Sequence, residues 1–219
     1  MRILELFSGS QSVGKVAREL GWEVVSLDID DYKGQHAPTI KTDIMEWDYK
    51  EAYAPKHFDV VWASPPCIYY AASLQRCNLG RRLKDGTIWT QERWDEKILL
   101  ADEWVKRALE IIDYFEPARW YLENSGMGLL KTRPFMAQYS EDCFLVDYCR
   151  YSDWGYRKRT RVYTNVKKGF EPLLCNKKCG NMEGRRHRLR TDNGKGSIAG
   201  TRTMLRYRIP PKLIKALFV

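Results

Sequence analysis

The sequence has no apolar run of about 18 residues and no basic opening followed by a short apolar stretch, so neither a membrane span nor a secretory leader is expected. Without an export signal, the six scattered cysteines (Cys67, Cys77, Cys143, Cys149, Cys175, Cys179) do not read as a disulfide framework, and reduced thiols in a cytoplasmic or host-cell intracellular setting are expected. Internal repeats are absent. So is the G-x-x-x-x-G-K-[ST] phosphate cradle, and the glycines near the N-terminus are too few for a dinucleotide fingerprint. Acidic residues are scarce in the last quarter: residues 157–219 carry 18 Lys+Arg against 3 Asp+Glu, a net +15, whereas residues 1–156 carry 19 against 25, a net −6. A basic tail on an acidic body points to a polyanion, because Lys and Arg gain affinity by releasing counterions from phosphates. A well-solvated basic surface is the plainer alternative. Tyr156, Tyr163, Phe170 and Tyr207 lie among these charges, where they suit either base stacking or a core.

What remains fits one α/β domain with a small appendage, in 219 residues and 25.8 kDa. Apolar β-branched runs alternate with helical patterns, which predicts a mostly parallel sheet covered by helices. Candidate strands are 2–6, 23–27, 58–63, 119–122, 144–149 and 161–165, with a short seventh near 39–43. Helices are expected over 11–20, closed by Gly21, and from Gln91 to Phe115, stopped by Pro117. Residues 72–90 and 175–207 lack periodicity and read as loops or a small irregular subdomain.

Chemistry gathers in the turns after the strands. Phe7-Ser8-Gly9-Ser10 follows the first strand, and its glycine would let the backbone approach a ligand. Asp28, followed by Ile29 at the end of the second strand, is placed to accept from both hydroxyls of a ribose, and Asp43, followed by Ile44, from an adenine amino group. An adenosine ligand without a buried polyphosphate, such as S-adenosylmethionine, suits this turn; a plain tight turn with solvated acids is the alternative. After the fourth strand comes Ser64-Pro65-Pro66-Cys67, where two prolines stiffen the turn that presents a thiol. A thiolate there would serve a substrate carbon too electron-poor to attack unaided, as cytosine C5 is until sulfur adds at C6. Glu123 and Asn124 end the fifth strand, with a carboxyl suited to N3 and the N4 amino group of such a base. Arg159 and Arg161 alternate into the last strand, so they share a side and can point together at one partner.

In this order, FSGS, LDID, DI, SPPC, ENS and RKRTRVYTN resemble the successive motifs of cytosine-C5 DNA methyltransferases over roughly residues 3–165, and the short basic tail resembles the compact stand-alone methylases of phages and other viruses. The resemblance implies a Rossmann-like class I methyltransferase fold with a mostly parallel seven-stranded sheet, S-adenosylmethionine as methyl donor, and a base flipped out of double-stranded DNA. It makes Cys67 the nucleophile and Glu123 the group on N3 and N4. Asn124 would fix the pocket, with Arg159 and Arg161 on the cytosine carbonyl and the active-site loop. Phe7, Ser8, Gly9, Ser10, Asp28, Ile29, Asp43, Ile44 and Pro66 would surround the donor. Three departures stand out: Arg157 where Gln is usual, Ser125 where Val or Pro is usual, and no closing G-N-x-V motif.

The implied division is a catalytic core over 1–166, a basic target-recognition subdomain over 167–207, and a returning helix over 208–219. Arg76, Arg81, Arg82 and Lys84 in the 72–90 loop are expected to close over substrate. RNA, a free cytidine nucleotide, or a non-catalytic nucleic-acid-binding role remain the alternatives, and no obligatory protein partner is evident. Finally, Cys175, Cys179 and His187 form C-x3-C-x7-H, three ligands where structural zinc needs four. Folding could bring Cys143 or Cys149 near, but a capped turn without metal is the reading adopted.

Overall fold

The computed structural model describes residues 1–71, 78–83, 85–166, 169–191, 205 and 207–219. The strands are β1 (Arg2–Leu6), β2 (Glu23–Asp28), β3 (Ile40–Lys41), β4 (Val60–Ala63), β5 (Arg119–Ser125), β6 (Cys143–Asp147) and β7 (Arg159–Thr164), in a seven-stranded sheet of order β3-β2-β1-β4-β5-β7-β6. β1 to β5 pair in parallel, and β7 lies between β5 and β6, antiparallel to both. This is the expected mostly parallel α/β sheet. The helices are α1 (Ser12–Glu19), α2 (Tyr49–Ala52), α3 (Gln91–Phe115) and α4 (Pro211–Phe218); among the described residues none is long and apolar enough to cross a membrane.

Parallel strands covered on both faces read as continuous apolar runs, and β4, with sequence VVWA, is buried throughout. Alternation along the chain then sorts its residues. Val61 and Ala63 join Leu4, Leu6 and Leu122 under α3 and α2, whereas Val60 and Trp62 join Ile3 and Tyr121 under α1 and α4. α3 begins where Thr90 Oγ1 accepts from the Arg93 N–H and ends at Glu116, left-handed at φ 43°, just before Pro117. α4 closes the second face: Arg119 and the Tyr121 hydroxyl donate to its last carbonyls at Phe218 and Leu217, and Phe218 stacks on Trp22 at 4.7 Å.

β2 runs one residue longer than expected, to Asp28, and β5 and β7 are also longer, because of their mutual pairing. β5 runs on to Ser125 and β7 starts at Arg159 because Glu123, Asn124 and Ser125 ladder against Val162, Arg161 and Thr160. Of the aromatic residues in the basic tail, Tyr156 and Tyr163 are core, Phe170 packs on Phe144, and Tyr207 is exposed.

Glu5 links the sheet to α1. Its buried carboxylate accepts from the N–H groups of Val13 (3.1 Å) and Gly14 (2.9 Å) at the positive end of that helix. Gly14 leaves the room: a Cβ there would sit 2.7 Å from the carboxylate and 3.0 Å from Val24. Burial pushes the Glu5 pKa up to about 7, against the pull of both N–H groups and of Arg18 and Lys15. The folded protein therefore holds a proton that the unfolded chain has released by pH 7, so this group's contribution to stability falls as pH rises from about 4.5 to 7. Urea unfolding of the protein and of Glu5→Gln at pH 4.5 and 8 should show the difference moving in favour of Gln by about 3 kcal/mol at the higher pH; a pH-independent difference would contradict this.

Candidate functional site

The turn after β1 is built from unusual backbone. Phe7 (φ 57°), Gly9 (φ 46°) and Gln11 (φ 54°) are all left-handed, a conformation that costs about 1 kcal/mol or more at a non-glycine residue. Local bonds hold it in place. The Gly9 N–H donates to Asp28 Oδ2 at 2.8 Å, the Gln11 N–H to the Ser8 carbonyl at 2.6 Å, and the Gln11 side chain to the Ala37 carbonyl at 2.6 Å. Asp28 also accepts from the Asp30 N–H at 3.0 Å; burial raises its pKa even so. Next to it Ile29 is 64% exposed, an apolar side chain at the rim of the turn.

Two further groups complete this rim. Ser8 Oγ is buried without a hydrogen-bond partner among the described residues, while Ser10 Oγ is bonded to Ser12 Oγ at 2.7 Å. Tyr32 Oη and Tyr207 Cβ lie about 4 Å from where a Cβ would project from Gly9. Phe7, Ser8, Gly9, Ser10, Asp28 and Ile29 thus gather at the ends of two adjacent strands. Asp43 and Ile44 follow β3 on the same edge of the sheet; Asp43 Oδ1 accepts from the Met45 N–H in its own turn, and Ile44 is buried.

The turn after β4 carries Pro65, Pro66 and half-buried Cys67. Asn124 reaches across from β5 and donates to the Pro65 carbonyl at 3.0 Å, so the fifth strand fixes the height of this turn. Cys67 opens a 3-10 turn over Ile68–Tyr70, and the buried Tyr70 hydroxyl donates to Asp102 of α3 at 2.9 Å. Asp102 Oδ2 in turn accepts from Arg133 Nε and Nη2 along one guanidinium edge (2.9 and 2.7 Å). The segment that presents the thiol is tied at both ends.

Glu123 is buried at the same edge. Its Oε1 accepts from the Tyr148 hydroxyl at 3.0 Å and from Lys158 Nζ at 3.5 Å. Burial opposes a charge on Lys158, but Glu123 and then Cys67 outweigh it and hold the ammonium above its ordinary value. Burial, with Glu123 beside it, pushes the Tyr148 hydroxyl well up, so it stays a donor. Cys67, Glu123, Lys158 and Tyr148 form one electrostatic group. Lys158 and Tyr148 are the members that sequence reasoning missed. Alternation put Lys158 on the side away from Arg159, but that this side faces Glu123 depends on the register of Glu123 against Val162, which the sequence does not display.

Arg159 and Arg161 share a face, as alternation requires, but they do not converge on one partner. Arg159 is bidentate on Asp147 (3.0 and 2.7 Å), directly opposite it on β6, and Arg161 lies 2.9 Å from Cys143 Sγ. The physical reason is that Asp147 is fully buried and takes the nearest cation; its pKa is lowered because Arg159 and the Cys175 N–H outweigh the burial. Both arginines lie on the face of β7 opposite to Val162, hence away from the Glu123 side. Of the loop expected to close over substrate, Arg76 and Lys84 lie outside the described residues; Arg81 and Arg82 are exposed on a turn bridged between Arg82 and Ile88.

No protein-family model matches the chain. A Frog virus 3 (isolate Goorha) protein described as "Probable DNA (cytosine-5)-methyltransferase" is 41% identical over 223 residues, spanning 98% of this chain and 97% of that protein. Among solved structures, the Entamoeba histolytica methyltransferase EhMeth aligns over 80% of this chain with 12% identity and a TM-score of 0.49, and a prophage-encoded E. coli chain described as a DNA modification methyltransferase aligns over 80% with 11% identity and a TM-score of 0.48. The alignments span 55% and 51% of those two chains.

Proposed function

The chain belongs to the DNA (cytosine-5)-methyltransferase family, and from that premise we propose that it transfers the methyl group of S-adenosylmethionine to C5 of a cytosine flipped out of double-stranded DNA. The observation that carries this reading is that Asn124 bonds the Pro65 carbonyl at 3.0 Å, which sets the Cys67 turn at the carboxyl end of β5, where Glu123 meets Lys158 at 3.5 Å.

The donor supplies an electrophilic methyl group when bound. The residues at the first turn suit it: the buried Ser8 hydroxyl has no partner among the described residues, Asp28 is a buried carboxylate at the strand end, and Ile29 offers an exposed apolar side chain. Phe7, Ser10, Asp43, Ile44 and Pro66 complete the assignment. In the base pocket Cys67 Sγ bonds to C6, which places the former C5–C6 π pair at C5 as the nucleophile. Glu123 steadies the ring at N3 and N4; both of its described donors use Oε1, which leaves Oε2 for the base. Lys158, held as an ammonium, supplies the positive charge beside Glu123. Once C5 carries the methyl group, its proton passes to water, and the C5–H electron pair re-forms the C5–C6 double bond as Cys67 leaves as thiolate. Arg159 acts through Asp147 to fix the start of β7, and Arg161 braces β6.

Residues 1–166 carry the chemistry in this reading, 167–207 contact DNA, and 208–219 close the core. The +15 tail favours a polyanion over a free nucleotide. Duplex DNA containing 5-fluorocytosine should trap the protein in an adduct that survives denaturing electrophoresis and requires the donor, because fluorine cannot leave C5 as a proton does. Transfer of labelled methyl to RNA or to a cytidine nucleotide but not to duplex DNA would overturn the substrate. Absence of any adduct together with intact, salt-sensitive binding would overturn the chemistry.

A further inference from the structure

Away from the catalytic edge, the thiols of Cys149, Cys175 and Cys179 and the imidazole of His187 bring their ligand atoms within 4.8 Å of one another. Cys149 lies in the 3-10 turn after β6, Cys175 and Cys179 in the basic segment, and His187 on β9 (Arg186–His187), which pairs with β8 (Met182–Glu183). The fourth ligand that sequence spacing lacked is therefore Cys149, not Cys143. We propose that these four side chains bind one zinc ion in a closed, structural Cys3His site.

The distances fit that ion. Zn–S of about 2.3 Å and Zn–N of about 2.0 Å at tetrahedral angles require S···S of about 3.8 Å and S···N of about 3.5 Å. The observed separations are 3.6 Å for Cys175 Sγ to Cys179 Sγ, 3.5 Å for Cys175 Sγ to His187 Nε2, and 3.4 Å for Cys179 Sγ to His187 Nε2. A disulfide does not account for the cluster: its S–S bond is about 2.05 Å, and one pairing would leave a third thiol and the imidazole in the same pocket. Cys149 and Cys179 are buried, and Cys175 and His187 are half-buried, so the ligand atoms meet beneath the surface.

The surroundings are those of a ligand shell. The Lys177 N–H donates to Cys175 Sγ at 3.3 Å, the contact that stabilises a coordinated thiolate. The Cys175 N–H is fixed by Asp147 Oδ2 at 2.8 Å, and the buried Asn181 amide donates to the carbonyls of Cys149 and Ser152 at 2.9 and 2.7 Å. On binding, three thiol protons pass to solvent and the dication leaves a centre of net charge −1. Arg157, 4.0 Å from Asp147, helps offset it. With four protein ligands no coordination position stays open, so the ion would be structural: it would fasten the basic residues Lys177, Lys178, Arg185 and Arg186 to the end of β6, next to the strand pair that carries Lys158.

Elemental analysis of the purified full chain should find about one zinc per molecule, and Cys149→Ser and His187→Ala should hold at least about fivefold less, while Cys143→Ser keeps it. Should the ligand variants fail to fold, the unaltered protein produced with cobalt in place of zinc serves instead: it should show the intense visible bands of tetrahedral cobalt and a sulfur-to-cobalt charge-transfer band. Protein that neither contains nor retains zinc would overturn the site, as would soluble ligand variants with undiminished zinc, or a cobalt spectrum without thiolate bands.

Discussion

Cys67→Ser should lower methyl incorporation into duplex DNA by at least about 10³-fold and leave DNA binding within about twofold of the original. The change exchanges one small side chain for another at a half-buried position whose carbonyl accepts the Tyr70 N–H, so the turn over Ile68–Tyr70 keeps its bonds. What is lost is nucleophilicity. A thiol with an ordinary pKa near 8.5 supplies some thiolate near neutral pH and is intrinsically a strong nucleophile, whereas a hydroxyl does not ionise there. Incorporation of tritiated methyl and an electrophoretic binding assay, run on the same preparation, separate the two quantities. A serine variant that methylates at the original rate would mean that no sulfur–carbon bond forms on the reaction path. Equal loss of binding and rate would mean that the residue only shapes the pocket.

The second large effect is on stability. Asp147→Ala should destabilise the fold by about 3–5 kcal/mol at pH 7, roughly 10 °C in Tm for a chain of this size. The carboxylate is wholly buried and holds both edges of Arg159 as well as the Cys175 N–H, so its removal leaves a cation and an amide without their partner. Its pKa lies below the ordinary carboxylate value, so its contribution is complete above that value and disappears as pH falls through the lowered one. The stability gap between the protein and Asp147→Asn should accordingly be wide at pH 7 and close on acidification below about pH 4. Denaturant titrations across that range provide the check; a gap that persists unchanged in acid would show that shape, not charge, is what Asp147 supplies.

How much of this was legible depended on how local the governing forces are. The limits of α3 could be read because its apolar spacing and the Pro117 stop act within one turn of the residues concerned, and the structure adds the Thr90 cap. β1 and β2 were equally plain, since each is a short apolar run bounded by turn residues. The thiol and carboxylate proposed for the chemistry, Cys67 and Glu123, were visible because each follows or ends a strand. The pairing of β5 with β7 was not, because register is decided across some forty residues of intervening chain, and with it went the identity of the cation beside Glu123. The three arginines of the RKRTR run are more conspicuous than Lys158 among them, yet the buried carboxylate of Asp147 claims Arg159. The choice of Cys149 over Cys143 was hidden for a similar reason: Cys149 lies 26 residues upstream of Cys175, and only the end of β6 brings the two together.

The reversed direction of β7 makes the molecule unequally tolerant of changes in chain length. Because that strand enters the sheet at the catalytic edge and leaves at the far one, one residue added or removed between Gly155 and Arg159 would rotate Lys158 away from Glu123 and transpose the two faces of the strand. The same change beyond Asn165 falls after the strand has left the sheet at the opposite rim and leaves these side chains in place. Drift in length during evolution should therefore accumulate after this strand and be purged before it.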